Sequence, residues 1–242
     1  MIFLCCHNTL PSTNTYVKNL VEQSKVSQEI AILANTQTAG VGKRSATWVS
    51  YTGNVHLSIV LDIEKYFGKP NWGVISLLVG TIVRDVLQSY IKKSTVVFNK
   101  WPNDIMVNNK KIAGILLELV KNKKGVEHII IGIGVNLVKA PTIDNYQTIA
   151  LQDIIKPCIS NREFSEQVIQ CLTGYLQQDY MKYKNNIVNL WIAKAYKLGE
   201  LIKVKTSNTL ELGVFKGITP EGELILIQHN QEKYLRVGDI LF

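Results

Sequence analysis

Cysteine is scarce in this sequence, and its spacing is unsuited to metal binding. The chain has 242 residues and four cysteines, Cys5, Cys6, Cys158 and Cys171, without the Cys-x-x-Cys spacing of a zinc site. A disulfide framework belongs to oxidising compartments. We therefore predict reduced, buried thiols in a cytoplasmic protein.

Long hydrophobic runs are also missing. The longest apolar stretch, Trp72 to Val83, is much shorter than a bilayer span and is followed by Arg84 and Asp85. The start of the chain, MIFLCCHNTLP, has no basic leader before its short apolar run. These features predict a soluble protein with no membrane partner.

Acidic residues are outnumbered by basic ones. The chain has 27 Lys and Arg against 19 Asp and Glu, a formal net charge of +8, and its pI is near 9.2. This balance favours an anionic partner such as a nucleotide, a nucleic acid or an acidic protein. A non-enzymatic nucleic-acid-binding module is one alternative, although the lysines are scattered and form no basic helix or aromatic-interleaved patch.

Apolar periodicity predicts an α/β protein. A helix whose apolar positions run from Ile75 to Tyr90 has the i, i+3, i+4, i+7 spacing of a face packed on a sheet. Other helices are predicted at the segment PSTNTYVKNLVEQ and over much of Phe164 to Lys197. Strands are predicted at Ile2–Cys6, Ile30–Ala34, Asn54–Leu61, Val96–Phe98, Ile105–Val107, Ile112–Val120 and Val126–Val135.

The character of the sequence changes near Leu198. Beyond this residue, four or five short β-rich segments are separated by Gly, Pro, Asn and Asp, as is typical of a small antiparallel barrel. We predict one domain over residues 1–197 and a C-terminal small β-barrel domain over residues 198–242.

A polar loop between two predicted strands combines glycines with cations. This glycine loop, residues 38–48 (TAGVGKRSATW), contains Gly40, Gly42, Lys43 and Arg44. Glycines let a backbone approach a ligand closely, and backbone amides with cations bind phosphate or carboxylate groups. The spacing matches neither the P-loop nor the Rossmann glycine pattern, so a solvated surface turn is an equal alternative.

The stretch KWPND is harder to explain as structure alone. Pro102 restricts Trp101 and forces a turn at the end of a strand, where Asn103 and Asp104 are presented. Such a pair can hydrogen-bond a ribose and hold Mg²⁺ on phosphates, because this hard cation prefers oxygen ligands. The alternative is an Asx turn.

Two further features lie on the apolar strands that follow. Lys111 begins a strand with Gly114 three residues on, an arrangement suited to an anion in a cleft and a ligand ring against the backbone. An edge-strand lysine is the alternative. The apolar run IIIGIGVNL has Asn136 near its end, where a buried amide needs hydrogen-bond partners.

Together these motifs resemble those of the biotin protein ligases. KWPNDIMVNNKKIAGILLEL is similar to the central motif of that family, and STN (Ser12 to Asn14), QTAGVGKRSATW and GIGVNL resemble its biotin-binding segment, glycine- and arginine-rich loop and nucleotide-contacting strand. The resemblance covers nearly the whole chain. It implies a class II aminoacyl-tRNA synthetase-like core, with a mixed, largely antiparallel sheet flanked by helices, and a C-terminal SH3-like barrel.

The same resemblance implies a reaction and its partners. Biotin attacks the α-phosphorus of ATP to give biotinyl-5′-adenylate, and the acyl group then passes to a lysine of the biotin carboxyl carrier protein of acetyl-CoA carboxylase or a related acyl-CoA carboxylase. ATP, biotin and Mg²⁺ are implied. No DNA-binding repressor activity is expected, because the first ligase motif starts at Ser12. A homodimer is left open, and lipoate ligase is the enzymatic alternative.

The site residues implied by the resemblance follow its motifs. Lys111 and Lys43 are the implied catalytic residues, and Asp104 is the implied ligand of Mg²⁺. The implied biotin-binding residues are Ser12, Thr13, Asn14, Gln37, Gly40, Val41, Gly42, Lys43, Lys111 and Gly114, and the implied ATP-binding residues are Arg44, Trp48, Asn103, Asp104, Lys111 and Asn136.

The glycine loop departs from the family pattern. Many members read approximately Gly-Arg-Gly-Arg-Arg-Gly-Arg-x-Trp, whereas Val41, Lys43, Ser45 and Ala46 here replace three arginines and a glycine. Lysine cannot form the bidentate contacts of arginine. We expect faster leakage of biotinyl-adenylate than from arginine-rich relatives, which trapping with hydroxylamine would measure.

Overall fold

The elements below come from a computed structural model that describes residues 2–26, 28–68, 71–144, 146–156, 159–178 and 180–241, apart from the side chains at 45 and 180–185. The described residues form strands and helices in the following order: β1 (Phe3–Leu10), α1 (Thr13–Glu22), β2 (Ile30–Gln37), β3 (Val55–Asp62), α2 (Ile63–Phe67), α3 (Trp72–Tyr90), β4 (Val97–Lys100), β5 (Asp104–Val107), β6 (Lys110–Lys121), β7 (Glu127–Val135), α4 (Asn161–Leu176), α5 (Tyr180–Ile192), β8 (Leu201–Lys205), β9 (Leu210–Ile218), β10 (Leu224–Gln228), β11 (Gln231–Leu235) and β12 (Asp239–Ile240).

The first seven strands form one mixed sheet in the order β1-β2-β3-β7-β6-β5-β4. β1 and β2 are parallel, and the other neighbouring pairs are antiparallel. The predicted strands are all present, most of them longer than the sequence indicated. The predicted α/β class with a largely antiparallel sheet is therefore confirmed.

The two faces of this sheet carry different helices, because neighbouring strand residues point to opposite sides. Ile59 and Ile131 belong to a large core that includes residues of α3, α4 and α5. Val60 and Ile130 belong to a smaller cluster with Val17 of α1. Among the described helices, α1 is the one that packs in this smaller cluster, and part of the second face is left open for a cavity.

Helix α3 provides much of the large core. Its predicted apolar positions from Ile75 to Leu87 are buried, and Tyr90 packs partly buried against them. The helix continues past Val83 to a length and apolarity sufficient to cross a membrane, but 67% of its most apolar window is buried inside the fold. Its length is therefore no evidence for a membrane span.

The C-terminal strands form a second, five-stranded antiparallel sheet in the order β11-β10-β9-β8-β12. It packs directly on the first part of the chain: the indole Nε1 of buried Trp101 donates to the carbonyl of Gly222 at 3.0 Å. Phe215 and Leu226 of this sheet also belong to the large core. The domain boundary near residue 198 stays a prediction.

The prediction of buried cysteines is wrong for two of the described thiols. Cys6 and Cys171 are exposed, Cys5 is half-buried, and all three are free, whereas Cys158 lies outside the described residues. The physical reason is position. Cys6 lies on β1, an edge strand, and Cys171 lies at the margin of the buried face of α4, outside its set of buried residues.

Candidate active site

A cavity of about 810 Å³ lies on the α1 face of the first sheet, between the start of α1, the glycine loop and β12. Its floor is made of cross-strand neighbours: His56 lies opposite Gly134, which lies opposite Gly114, and Ser58 lies opposite Gly132 in the adjacent row. The predicted site residues are all described, and all but Gly40 and Asn136 line this cavity. Predicted residues as far apart in sequence as Ser12 and Gly114 thus line the same cavity.

Two glycines of β7 let side chains lie directly on the sheet. A Cβ at Gly132 would stand 2.4 Å from Oδ1 of Asn14, and a Cβ at Gly134 would stand 2.3 Å from Cε2 of Trp48. The Trp48 ring also reaches Gly114, where a Cβ would be 3.2 Å from Cζ3. The space that we predicted for a ligand ring over Gly114 is therefore taken by the indole of Trp48, whose Nε1 is buried without a hydrogen-bond partner among the described residues.

The STN segment places three polar side chains at the N-terminus of α1. Ser12 is the N-cap and accepts a hydrogen bond from the amide of Thr15. The amide of Thr13 donates to Oε1 of Gln37 at 2.7 Å, and Asn14 lies next to Ser58. This end of the cavity is neutral and rich in hydrogen-bonding groups, which suits a polar uncharged ring.

The glycine loop forms a tight hairpin that leans on the C-terminal sheet. Trp48 donates its amide to the carbonyl of Gly40 at 2.9 Å, and a Cβ at Gly40 would stand 2.4 Å from the Trp48 carbonyl oxygen. Lys43 Nζ lies 2.9 Å from Oδ1 of Asp239, and Arg44 Nη1 lies 2.7 Å from Oδ2 of the same carboxylate. Both cations line the cavity, but their charges are engaged by this carboxylate of β12.

A second group of charges lies beside the KWPND turn. Lys111 Nζ is 2.7 Å from Oδ1 of Asp104 and lies over the rings of Trp48 and Tyr146, at 5.6 and 5.4 Å from their centroids. Burial disfavours the charge on Lys111, but the attraction of Asp104 and Tyr146 outweighs it, and the pKa of Lys111 is raised. Lys111 is therefore a permanently charged group at the cavity wall.

Lys100 also lines the cavity, although the motif resemblance implied no role for it. Its side chain is 4% exposed and lines the cavity, with Nζ 3.9 Å from Oδ2 of Asp104. Burial lowers the pKa of Lys100 to about 8, with repulsion from Lys111 adding to the shift and Asp104 opposing it. The signal was present in the sequence, because Lys100 opens the KWPND stretch.

The two predicted asparagines differ in position. Asn103 lines the cavity, but its Nδ2 donates to the carbonyl of Ile115 at 2.5 Å and so braces the turn against β6. Asn136 is buried off the cavity, and its Nδ2 lies 3.4 Å from the carbonyl of Ile149. The nucleotide contacts assigned to both stay predictions.

Other cavity residues had no local signal in the sequence. His56 looks like an ordinary strand residue, and Lys205 and Asp239 come from the C-terminal sheet. Burial lowers the pKa of His56, so its imidazole is neutral near pH 7. Only the folded chain brings these residues to the cavity.

The described residues do not form a preassembled metal cage. No group of three or more His, Cys, Asp or Glu side chains within them is arranged to hold a metal ion. Asp104 and Asp239 are the carboxylates at the cavity, and both contact cations. This fits a Mg²⁺ that arrives on phosphates, since Mg²⁺ in such sites takes one or two protein carboxylates.

Comparisons with known proteins agree with the motif resemblance. A sequence model of the biotin/lipoate A/B protein ligase family matches residues 7–136. The biotin–[acetyl-CoA-carboxylase] ligase of Paracoccus denitrificans is 31% identical over 216 residues, covering 87% of this chain and 89% of that protein. The bifunctional ligase/repressor BirA of Bacillus subtilis is 29% identical over 243 residues, covering 98% of this chain and 73% of that protein.

A solved structure shares the fold over nearly the whole chain. The biotin protein ligase from Aquifex aeolicus in complex with biotin and ATP superposes with a TM-score of 0.80 at 23% identity, covering 98% of this chain and 97% of that one. At this identity the likeness concerns the fold alone. The sequence match at residues 7–136 includes every predicted site residue.

Proposed function

Because this chain belongs to the biotin/lipoate A/B protein ligase family, we propose that it attaches biotin to a protein lysine in an ATP-dependent reaction. One observation carries the proposal: a single cavity joins a neutral hydrogen-bonding end to a strongly cationic end. Its lining has five cations, Lys43, Arg44, Lys100, Lys111 and Lys205, against two carboxylates, Asp104 and Asp239.

This charge balance suits the first step. The carboxylate of biotin and the phosphates of ATP repel each other, so a catalyst must hold them together and offset their charge. An oxygen of the biotin carboxylate bonds to the α-phosphorus, and the bond from that phosphorus to pyrophosphate breaks. We assign charge stabilisation to Lys111, which Asp104 orients at 2.7 Å, and support of the phosphates to Lys100.

The second step transfers the biotinyl group. The amine of the acceptor lysine bonds to the acyl carbon, the bond from that carbon to the adenylate oxygen breaks, and the amine loses a proton as AMP leaves. The amine must be neutral to attack. We propose the biotin carboxyl carrier protein of an acyl-CoA carboxylase as the acceptor and the cytoplasm as the compartment.

Magnesium has a restricted role in this proposal. Asp104 would hold the ion together with nucleotide phosphates, and the ion would neutralise phosphate charge. Oδ1 of Asp104 contacts Lys111 at 2.7 Å, whereas Oδ2 lies 3.9 Å from Lys100. We therefore assign Oδ2 as the oxygen that would bind the ion. The chain's own cations carry the remaining charge stabilisation.

Repressor activity and oligomeric state are not part of this proposal. The repressor function in the printed name of the Bacillus protein is not transferred to this chain. Monomer and homodimer stay open alternatives, as in the sequence; β1 and β4 are the outer strands of the first sheet.

The direct test is transfer of label. Purified protein is incubated with labelled biotin, ATP, Mg²⁺ and a biotin carboxyl carrier domain, and label on the carrier is measured with and without ATP. A carrier domain whose acceptor lysine is replaced by arginine is the matched control. ATP-dependent label on the lysine carrier alone supports the proposal. No transfer of biotin, or transfer of labelled lipoate to a lipoyl domain in its place, contradicts it.

A further inference from the structure

A continuous set of hydrogen bonds runs along the neutral end of the cavity and ends outside it. Asn14 Nδ2 donates to Oε2 of Glu118 at 2.7 Å, and Ser58 Oγ lies 2.5 Å from Asn14 Oδ1 and 2.7 Å from Thr13 Oγ1. Thr13 donates its amide to Oε1 of Gln37 at 2.7 Å, and its hydroxyl oxygen lies 3.1 Å from the same atom. Glu118 is a member of this chain of bonds but does not line the cavity.

Glu118 determines which atoms of this set donate and which accept. A carboxylate can only accept, so the amide nitrogen of Asn14 must face Glu118 and its oxygen must face Ser58. Ser58 has one proton and is fully buried, and the closer acceptor for that proton is the oxygen of Asn14. The hydroxyl proton of Thr13 then forms the bond between Thr13 and Ser58. Turning the Asn14 amide over would place its oxygen against the carboxylate of Glu118.

At the other end of the set, the backbone amide of Thr13 orients the side chain of Gln37. The amide N–H of Thr13 donates to Oε1 of Gln37, so the amide nitrogen of Gln37 is turned away from Thr13. Among the described residues, no protein acceptor bonds Nε2 of Gln37 or the hydroxyl proton of Ser12. With the second N–H of Asn14, these groups offer hydrogen-bond donors from three residues that line the cavity.

We propose that Glu118 is a positioning residue that fixes the orientation of Asn14 and thereby makes this end of the cavity select a ring carrying a carbonyl acceptor. The inference rests on the proposed function, because the ureido carbonyl of biotin is the acceptor in question. A dithiolane ring, as in lipoate, offers no such oxygen. Glu118 thus contributes to the choice of substrate without touching it.

The test compares biotin with the analogue in which sulfur replaces the ureido oxygen, since a thiocarbonyl is a weaker acceptor of the same charge. Dissociation constants for both ligands are measured by calorimetry on the wild type and on Glu118→Ala. We expect the wild type to prefer biotin by about tenfold, near the upper limit for one neutral hydrogen bond. In Glu118→Ala the preference should fall to about threefold, because Asn14 is free to turn.

Controls separate this role from general damage. Glu118→Gln keeps nearly the same volume, and its amide can donate as well as accept, so it no longer dictates the direction of the Asn14 amide. The same reduced preference is expected in this variant, which also serves as the test should Glu118→Ala fail to fold. Glu127→Gln, an exposed residue of β7 paired with Lys121, should keep the wild-type preference. A preference that is the same in wild type and in both Glu118 variants overturns the inference. Pyrophosphate release by the wild type is measured in parallel, so that failure of the proposed function appears as a missing wild-type signal.

Discussion

Replacing Asp239 with asparagine should release the glycine loop from the C-terminal sheet. Asp239 binds both cations of the loop, Lys43 at 2.9 Å and Arg44 at 2.7 Å. Lys43 also donates to the carbonyl of Gly238 at 3.2 Å. Arg44 has a φ of 54°, in the left-handed region, where an L-residue is disfavoured by roughly 1–2 kcal/mol. The ion pairs therefore hold a strained turn in place.

The size of the effect follows from the exposure of the ion pairs. The three side chains are 32%, 46% and 42% exposed, so each pair contributes about 0.2–1 kcal/mol and both together roughly 0.4–2 kcal/mol. At 1.4 kcal/mol for each factor of ten, the population with a released loop should rise about 2- to 30-fold.

Limited trypsin digestion measures this population directly, because the enzyme cleaves after Lys43 and Arg44. When opening and closing are fast compared with cleavage, the cleavage rate follows the open population. We expect the rate at these two sites, followed by mass spectrometry, to rise in Asp239→Asn by the factor given above. High salt should accelerate cleavage of the wild type, since the Debye length falls to about 3 Å at 1 M, and should affect the variant much less.

The matched control is Glu232→Gln, which breaks the ion pair with Lys216 on the same sheet and should leave loop cleavage unchanged. If Asp239→Asn and salt both leave the cleavage rate after Lys43 and Arg44 at its wild-type value, the ion pairs do not hold the loop and the reasoning is refuted.

Three further predictions concern the cavity wall. Lys111→Ala should reduce biotin-dependent pyrophosphate exchange by about a hundredfold or more, the scale of losing one transition-state donor, and near-normal exchange would refute its role. Lys100→Met should raise the free energy of unfolding at pH 7 by up to about 3 kcal/mol, since burial lowers the pKa of Lys100 from 10.5 to about 8. Between pH 8 and pH 10.5 the unfolded wild type binds more protons than the folded wild type, so wild-type stability rises with pH. The stability advantage of Lys100→Met should therefore disappear by about pH 10.5. Urea denaturation at pH 7 and about pH 10 measures it, and an equal advantage at both pH values would contradict the prediction. Gly134→Ala places a Cβ 2.3 Å from Trp48 and should destabilise the protein by about 1–3 kcal/mol in thermal denaturation, whereas Gly217→Ala, with nothing within 4 Å, should be close to neutral.

The helices and strands, and part of the cavity lining, follow from local stretches of sequence. The apolar spacing over residues 75–90 predicts α3, since the period of a helix is a local property of the backbone. KWPND, the glycine loop and STN also contain nearly half of the residues that line the cavity, because each is a contiguous stretch. The roles of individual residues within these motifs stay predictions.

Contacts between distant residues could be known only from the folded chain. Asp239 lies 196 positions from Lys43, and Glu118 lies 104 positions from Asn14, so no local pattern links either pair. The same is true of exposure: Cys6 is exposed because β1 is the edge of the sheet, a property of strand order and not of the residues around it. Helices and strands follow from interactions between near neighbours, whereas the polarity and charge of this cavity depend on how distant segments pack.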